Sequence, residues 1–194
     1  MSTLQIIDNF LPDEVFERFA VACITLPHYH CLDYATDIND SDGSILTLGE
    51  DLADIDRVTP EIMFQAVLLE RHTNLLRVTD FYLESHEFIE TIKEKLNVKK
   101  FHMLRANCTV RQPQAYQGEF HTDMRRRDSN LKIAILYLNT NNGGTLFKDG
   151  TKNGTFVKSK INRCVIAPID MKHAGVWHTD AKLRFVLNIN YEEN

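Results

Sequence analysis

The sequence predicts an α+β fold: a double-stranded β-helix (jelly roll) barrel with an N-terminal helical layer packed on one sheet. Two observations carry this expectation. From about residue 103 the apolar pattern breaks into short strand-like runs separated by Gly-rich turns, which is the pattern of a sandwich or barrel. Before that point helical spacings are gathered together, so the helices can cover one sheet. At 194 residues, 43% hydrophobic and 25% charged, the chain is expected to form one globular domain. Residues 1–102 would be its mainly helical layer and residues 103–194 its jelly-roll core, carrying the site.

Taken in order, Leu4 to Ile7 reads as a short strand. Pro12 opens a helix at its first position, with Asp13 and Glu14 in the first turn. Val15, Phe16, Phe19, Cys23 and Leu26 repeat at helical spacing and give that helix one buried stripe. A second helix start is expected at Thr59-Pro60-Glu61, feeding Met63, Val67 and the Leu68-Leu69 pair, and a third after Ser85, with Phe88, Ile89, Ile92 and Leu96 on one face. Between the first two, residues 27–58 form a long polar connection. From Asp33 to Asp56 it holds eight acidic residues and no basic one, which reads as a solvated loop or as a lid that selects a substrate. The strand-like runs then follow: 104–110, 131–139, 145–148, 155–158, 163–167, 173–178 and 183–190. Asn141-Asn142-Gly143-Gly144 and Asp149-Gly150 mark turns between them.

Composition excludes several classes. No run approaches the roughly 20 apolar residues of a membrane span, and Met1 to Phe10 lacks the layout of a signal peptide. Net charge is −5, against general nucleic-acid binding, which needs a basic face. Cys23, Cys31, Cys108 and Cys164 form no CxxC pair and read as plain thiols, with Cys108 and Cys164 acting as small hydrophobes. A soluble, cytoplasmic protein is expected.

Two H-x-D pairs stand out, His121-Thr122-Asp123 and His178-Thr179-Asp180. On a strand, residues i and i+2 share a face, so either pair can chelate one metal. The first has two later histidines, His173 and His178, to supply a third ligand; the second has none. If His173 faces the barrel interior, Gly175 and Trp177 share its face and His178 lies on the other, as a surface or capping residue. In the final strand Arg184, Val186, Asn188 and Asn190 oppose the apolar Phe185, Leu187 and Ile189. An inward guanidinium is costly unless an anion neutralises it. His28-x-His30 sits in a polar loop, Trp177 is a platform or a packed aromatic, and Arg125-Arg126-Arg127 reads as a solvated turn or a site entrance.

These residues resemble a known family. Two histidines and one carboxylate with open positions form the facial triad of non-haem Fe(II) oxygenases. The order His121-x-Asp123, His173, Arg184 is similar to the Fe(II)- and 2-oxoglutarate-dependent dioxygenases, in their prolyl 4-hydroxylase-like branch. "YQGEFHTD", "ILYLN", "GGTLF" and "HAGVWHTDAKLRFVLNIN" carry the likeness over roughly residues 103–194, with "IIDNFLPDE" a weaker echo near the N-terminus.

The resemblance implies Fe(II) on His121, Asp123 and His173, with 2-oxoglutarate chelating the metal and its distal carboxylate paired with Arg184. Tyr116 and Asn188 are further candidate cosubstrate contacts. O2 would be the oxidant, succinate and CO2 the by-products, and ascorbate a reductant. The implied substrate is a prolyl or other peptidyl side chain in a peptide or protein, with a small molecule as the alternative. The sequence also departs from the family. Gln112 stands where related enzymes carry a tyrosine. The inward face of the "YLN" strand, where they often place a tyrosine or threonine, carries Lys132, Ala134 and Leu136 by parity. A zinc-dependent hydrolase on a cupin-like barrel, and a non-catalytic binding domain that keeps the barrel, are the other functional classes open to these residues.

Overall fold

Fourteen elements follow one another through residues 4–26, 29–31, 63–71, 76–123 and 130–194, the parts of the chain that the computed structural model describes. They are β1 (Gln5–Ile7), α1 (Asp13–Thr25), β2 (Tyr29–Cys31), β3 (Met63–Arg71), β4 (Leu76–Val78), α2 (Asp80–Glu84), α3 (His86–Lys95), β5 (Val98–Val110), β6 (Leu131–Tyr137), β7 (Gly144–Phe147), β8 (Thr155–Lys158), β9 (Arg163–Pro168), β10 (His173–Val176) and β11 (Leu183–Glu193). The acidic connection 33–56, the 125–127 arginines and His28 lie outside the described residues.

Every strand pairing is antiparallel. The larger sheet has the order β1-β9-β6-β11-β5-β3-β2, with β4 on β3, and the smaller is β10-β7-β8. Two apolar layers hold this together, and the period-2 alternation of strands creates both. Leu131, Ile133, Ile135, Tyr137, Val165, Ala167 and Val186 of the larger sheet meet Phe147 and Val157 of the smaller one. This is the layered, two-sheet arrangement of a jelly roll. On the other face of the larger sheet Ala134, Leu136, Phe185, Leu187 and Ile189 pack under the helices. There α1 buries Phe16, Phe19, Ala20 and Cys23, and α3 buries Phe88, Ile89 and Ile92. Phe19 stacks on Phe88 where the two helices meet. The helical layer therefore covers one sheet, as its apolar stripes require. Among the described residues no helix is long and apolar enough to cross a membrane.

Two expectations need correction. Residues 63–71 are a strand, not the second helix, and the described part of the first hundred residues contributes four complete strands beside three helices. The reason is a β-bulge. Register against β5 shifts between Val67 and Leu69, so Leu68 and Leu69 both bury in the helix-side core. Two adjacent inward residues break strand alternation and imitate a helical pair. Pro12, placed by sequence at the first helical position, is instead the capping residue, with extended ψ of 138°.

The N-terminal segment is pinned by side chains that periodicity cannot reveal. Asn162 adopts φ 57°; its side chain accepts from the Leu11 amide at 3.0 Å and donates to the Leu11 carbonyl at 2.9 Å. Asp8 bonds Arg163 and Lys160, whose positive charges hold its carboxyl well below the usual range. Burial pushes the thiols of Cys23, Cys108 and Cys164 up, Cys108 to about 11, as befits small hydrophobes in a core. Asn162→Ala leaves two buried backbone groups of Leu11 without partners. It is expected to lower unfolding stability by about 2–4 kcal/mol in urea denaturation, and a loss below about 0.5 kcal/mol would show that the clamp is idle.

Candidate functional site

The smaller sheet is extended by an isolated antiparallel bridge between His121 and His173. The two residues exchange both backbone hydrogen bonds, each at 3.0 Å, which fixes their separation and sets the rings side by side, centroids 4.7 Å apart. Asp123 completes the group: its Oδ1 lies 3.4 Å from His173 Nε2 and 3.7 Å from His121 Nε2. One ligand atom from each of the three residues lies within 4.8 Å of the others. Each histidine Nδ1 is 3.2 Å from a carbonyl, Glu119 for His121 and Met171 for His173. A carbonyl only accepts, so each Nδ1 carries a proton and Nε2 is the ring nitrogen that faces Asp123. Burial opposes ionisation of Asp123. His173, His121 and Asn190 outweigh it and lower the pKa, while burial of His173 is outweighed by Asp123, which raises the histidine. The carboxylate, buried with one oxygen unpartnered, and two imidazole nitrogens make a donor set suited to a divalent ion.

The larger sheet forms the floor beneath this group, and register places its interior side chains in rows. Asn190 lies beside Met103 and Ile133, Asn188 beside Arg105 and Ile135, Val186 beside Asn107 and Tyr137, and Arg184 beside Thr109. Arg184 is 7% exposed and has no carboxylate partner among the described residues. Its Nη2 donates to the Gly144 carbonyl at 3.1 Å and to Thr145 Oγ1 at 3.4 Å, its guanidinium stands 5.7 Å from the Tyr137 ring centroid, and its Nε is unpartnered. Burial pulls its pKa down. A buried cation supported only by neutral groups is a pocket for an anion. Gly144 can pass close here only because it lacks a Cβ, which would strike the Val157 carbonyl.

Tyr137 is the residue that sequence parity missed. The interior face of β6 carries Ile133, Ile135 and Tyr137, whereas Ala134 and Leu136 pack toward the helices and Lys132 shares their parity. The parity was set one residue out of phase, although the cross-strand pairing of Tyr137 with Val186 settles it. The Tyr137 hydroxyl lies 2.9 Å from Thr145 Oγ1 and 3.2 Å from the Val157 carbonyl. That carbonyl only accepts, so Tyr137 donates to it and receives from Thr145, which in turn receives from Arg184. Burial raises the Tyr137 pKa despite Arg184 nearby, so the phenol stays neutral and can donate.

The remaining candidates separate. Asn188 faces the interior, half-buried, with its Oδ1 unpartnered. Tyr116 instead packs edge-on against Trp177, centroids 5.7 Å apart, at the Val176 end of β10 rather than the His173 end. His178 was expected at the surface but is fully buried; β10 stops at Val176, so strand parity does not extend to it. It lies outside the convergent donor group, and burial and the Arg184 charge lower its pKa.

No family model matches the sequence, and no curated protein matches it. Solved structures do. An oxidoreductase of the 2OG-Fe(II) oxygenase family from Burkholderia pseudomallei superposes with TM-score 0.68 at 8% identity, over 98% of this chain and 85% of that one. A prolyl-4-hydroxylase from Pseudomonas putida gives 0.55 at 14% identity, over 100% and 94%. A prolyl hydroxylase from Trichoplax adhaerens, in complex with a peptide fragment of the hypoxia inducible factor oxygen degradation domain, gives 0.61 at 12%, over 98% and 83%. The fold is that of the 2OG-Fe(II) oxygenases.

Tyr137→Phe removes the middle of the Arg184–Thr145–Tyr137–Val157 chain. Stability is expected to fall by about 1–3 kcal/mol, read from urea unfolding; an unchanged midpoint would show that the hydroxyl bonds contribute nothing.

Proposed function

We propose that the protein is a non-haem Fe(II)- and 2-oxoglutarate-dependent oxygenase that hydroxylates a prolyl or other peptidyl side chain in the cytoplasm. One observation carries the reading: a two-histidine, one-carboxylate donor set and a buried guanidinium without a counter-ion among the described residues lie on the walls of the same barrel interior. His121, Asp123 and His173 fit the metal, because both Nε2 atoms stand against the Asp123 carboxylate and each residue offers one ligand atom within 4.8 Å of the others. Arg184 fits the distal carboxylate of the keto acid, because that anion would supply the missing charge. When bound, iron, 2-oxoglutarate and O2 supply the oxidising power, with succinate and CO2 released and ascorbate as reductant.

The chain's own residues do the positioning. Asp123 holds negative charge toward both histidines, and the carbonyls of Glu119 and Met171 keep each imidazole in the ligating tautomer. Arg184, steadied by Thr145, Gly144 and the Tyr137 face, orients the cosubstrate, and Asn188 lies on the floor between Arg184 and Asn190. The smaller sheet stands across this space from the larger one. The peptide complex of the Trichoplax relative supports a peptide substrate. The unpaired buried thiols Cys23, Cys108 and Cys164 accord with a reducing compartment.

Anaerobic titration of the Fe(II)-loaded protein with 2-oxoglutarate tests the site. A visible charge-transfer band of the chelated keto acid is expected and should vanish in His173→Ala. Arg184→Ala should weaken 2-oxoglutarate by about 30-fold or more while Fe(II) binding is retained. A wild-type protein that keeps zinc and develops no band would favour the hydrolase or the silent barrel.

A further inference from the structure

Beside the anion pocket, the barrel floor carries a second set of groups that the site so far described does not use. On β5, the strand next to β11, Arg105, Asn107 and Thr109 all face the interior. Arg105 Nε, Asn107 Oδ1 and Thr109 Oγ1 are buried without a hydrogen-bond partner among the described residues, and Asn188 Oδ1 and Asn190 Oδ1 on β11 are in the same condition. Five such atoms on one continuous patch of sheet are too many for an ordinary core, where nearly every buried polar group is paired. Asn190 also interacts with Asp123, so the patch reaches the candidate metal ligands. Arg105 is bonded by Nη2 to Glu70 of β3, which neutralises its charge and leaves Nε–H available.

That pattern defines what the floor can accept. A carboxylate drawn to Arg105 meets Glu70, and a cation drawn to Glu70 meets Arg105, so a neutral group is favoured. A prolyl ring carries no N–H or O–H donor and would leave Asn107, Thr109 and Arg105 unpaired. Resting on the proposed oxygenase reading, the geometry points to a neutral carboxamide side chain, asparaginyl or glutaminyl, as the group that enters over β5. Its carbonyl accepts from Arg105 Nε and its amide N–H donates to Asn107 Oδ1. Arg105 and Asn107 sit two residues apart on one strand, about 7 Å along it, and the long guanidinium arm closes that span. The β5 patch is one strand farther than β11 from Tyr137, which supports Arg184, so cosubstrate and substrate side chain occupy neighbouring lanes.

The experiment titrates the Fe(II)- and 2-oxoglutarate-loaded protein anaerobically, by calorimetry, with three probes: N-acetylasparagine N′-methylamide, its glutamine counterpart and N-acetylproline N′-methylamide. The visible band of the chelated keto acid reports separately that metal and cosubstrate are in place. At least one carboxamide probe is expected to bind tenfold or more tightly than the prolyl probe. Arg105→Lys keeps the charge facing Glu70 but removes Nε–H, and should reduce that binding tenfold or more. Asn107→Leu should do the same while melting no lower than wild type, since it removes an unpartnered polar atom; a structural asparagine would lower the melting temperature. With the band present, equal or tighter prolyl binding, no binding of any probe, or unchanged carboxamide binding in Arg105→Lys would overturn the inference. Absence of the band would overturn the oxygenase reading, and this inference with it.

Discussion

Alternation of side chains along β11 is the constraint from which the rest of the structure follows. The strand lies between β5 and β6 in the larger sheet, and its two faces serve opposite purposes. Phe185, Leu187 and Ile189 are committed to the helical side, where each is 7% exposed or less. A slip of one residue would put Arg184 and Asn190 under the helices and a row of aliphatic side chains into the barrel. The helical layer therefore does more than cover the sheet. By rewarding one register, it holds a guanidinium and two amides in the interior, where they would not go unaided.

Much of this was legible because strands announce themselves by period and turn. The seven runs from residue 104 onward all became strands, and Arg184 lies on the interior face of its strand; His121, Asp123 and His173 converge although His121 and Asp123 lie outside any named strand. What was not legible depended on pairing between segments distant in sequence. The bulge at Val67–Leu69 produces two adjacent buried leucines, which no local rule separates from a helix. The phase of β6 is undefined in a run as apolar as Leu131-Lys132-Ile133-Ala134-Ile135-Leu136, and only its neighbour β11 decides that Tyr137 faces inward. His178 misled for the opposite reason, because alternation was carried beyond the end of a strand. The Asn162 clamp on Leu11 joins positions 151 residues apart, and its signal is a single asparagine in a left-handed conformation.

The two apolar layers contrast with the rest of the barrel interior. On the same face of the larger sheet as the inter-sheet layer lie Arg184 and a run of amides and hydroxyls with unused hydrogen-bonding capacity, with Asp123 facing them. Such groups cost stability while they stay unpaired. The apolar framework can tolerate them because it is large and well filled, with Tyr137, Phe147, Leu136 and Leu187 essentially inaccessible. Scaffold and site thus pull in opposite directions, and the strand pairings hold the site at fixed spacing despite the cost.

The bridge between His121 and His173 has a topological consequence. The two residues touch through one pair of backbone hydrogen bonds, yet about fifty residues of chain, including four strands, lie between them. An ion held by both side chains would close that loop as a crosslink does, shrinking the conformational freedom of the unfolded chain by an amount that for a disulfide is about 4 kcal/mol. Unlike a disulfide, this closure is reversible and follows the concentration of free ion. The integrity of the smaller sheet would then track the supply of the ion.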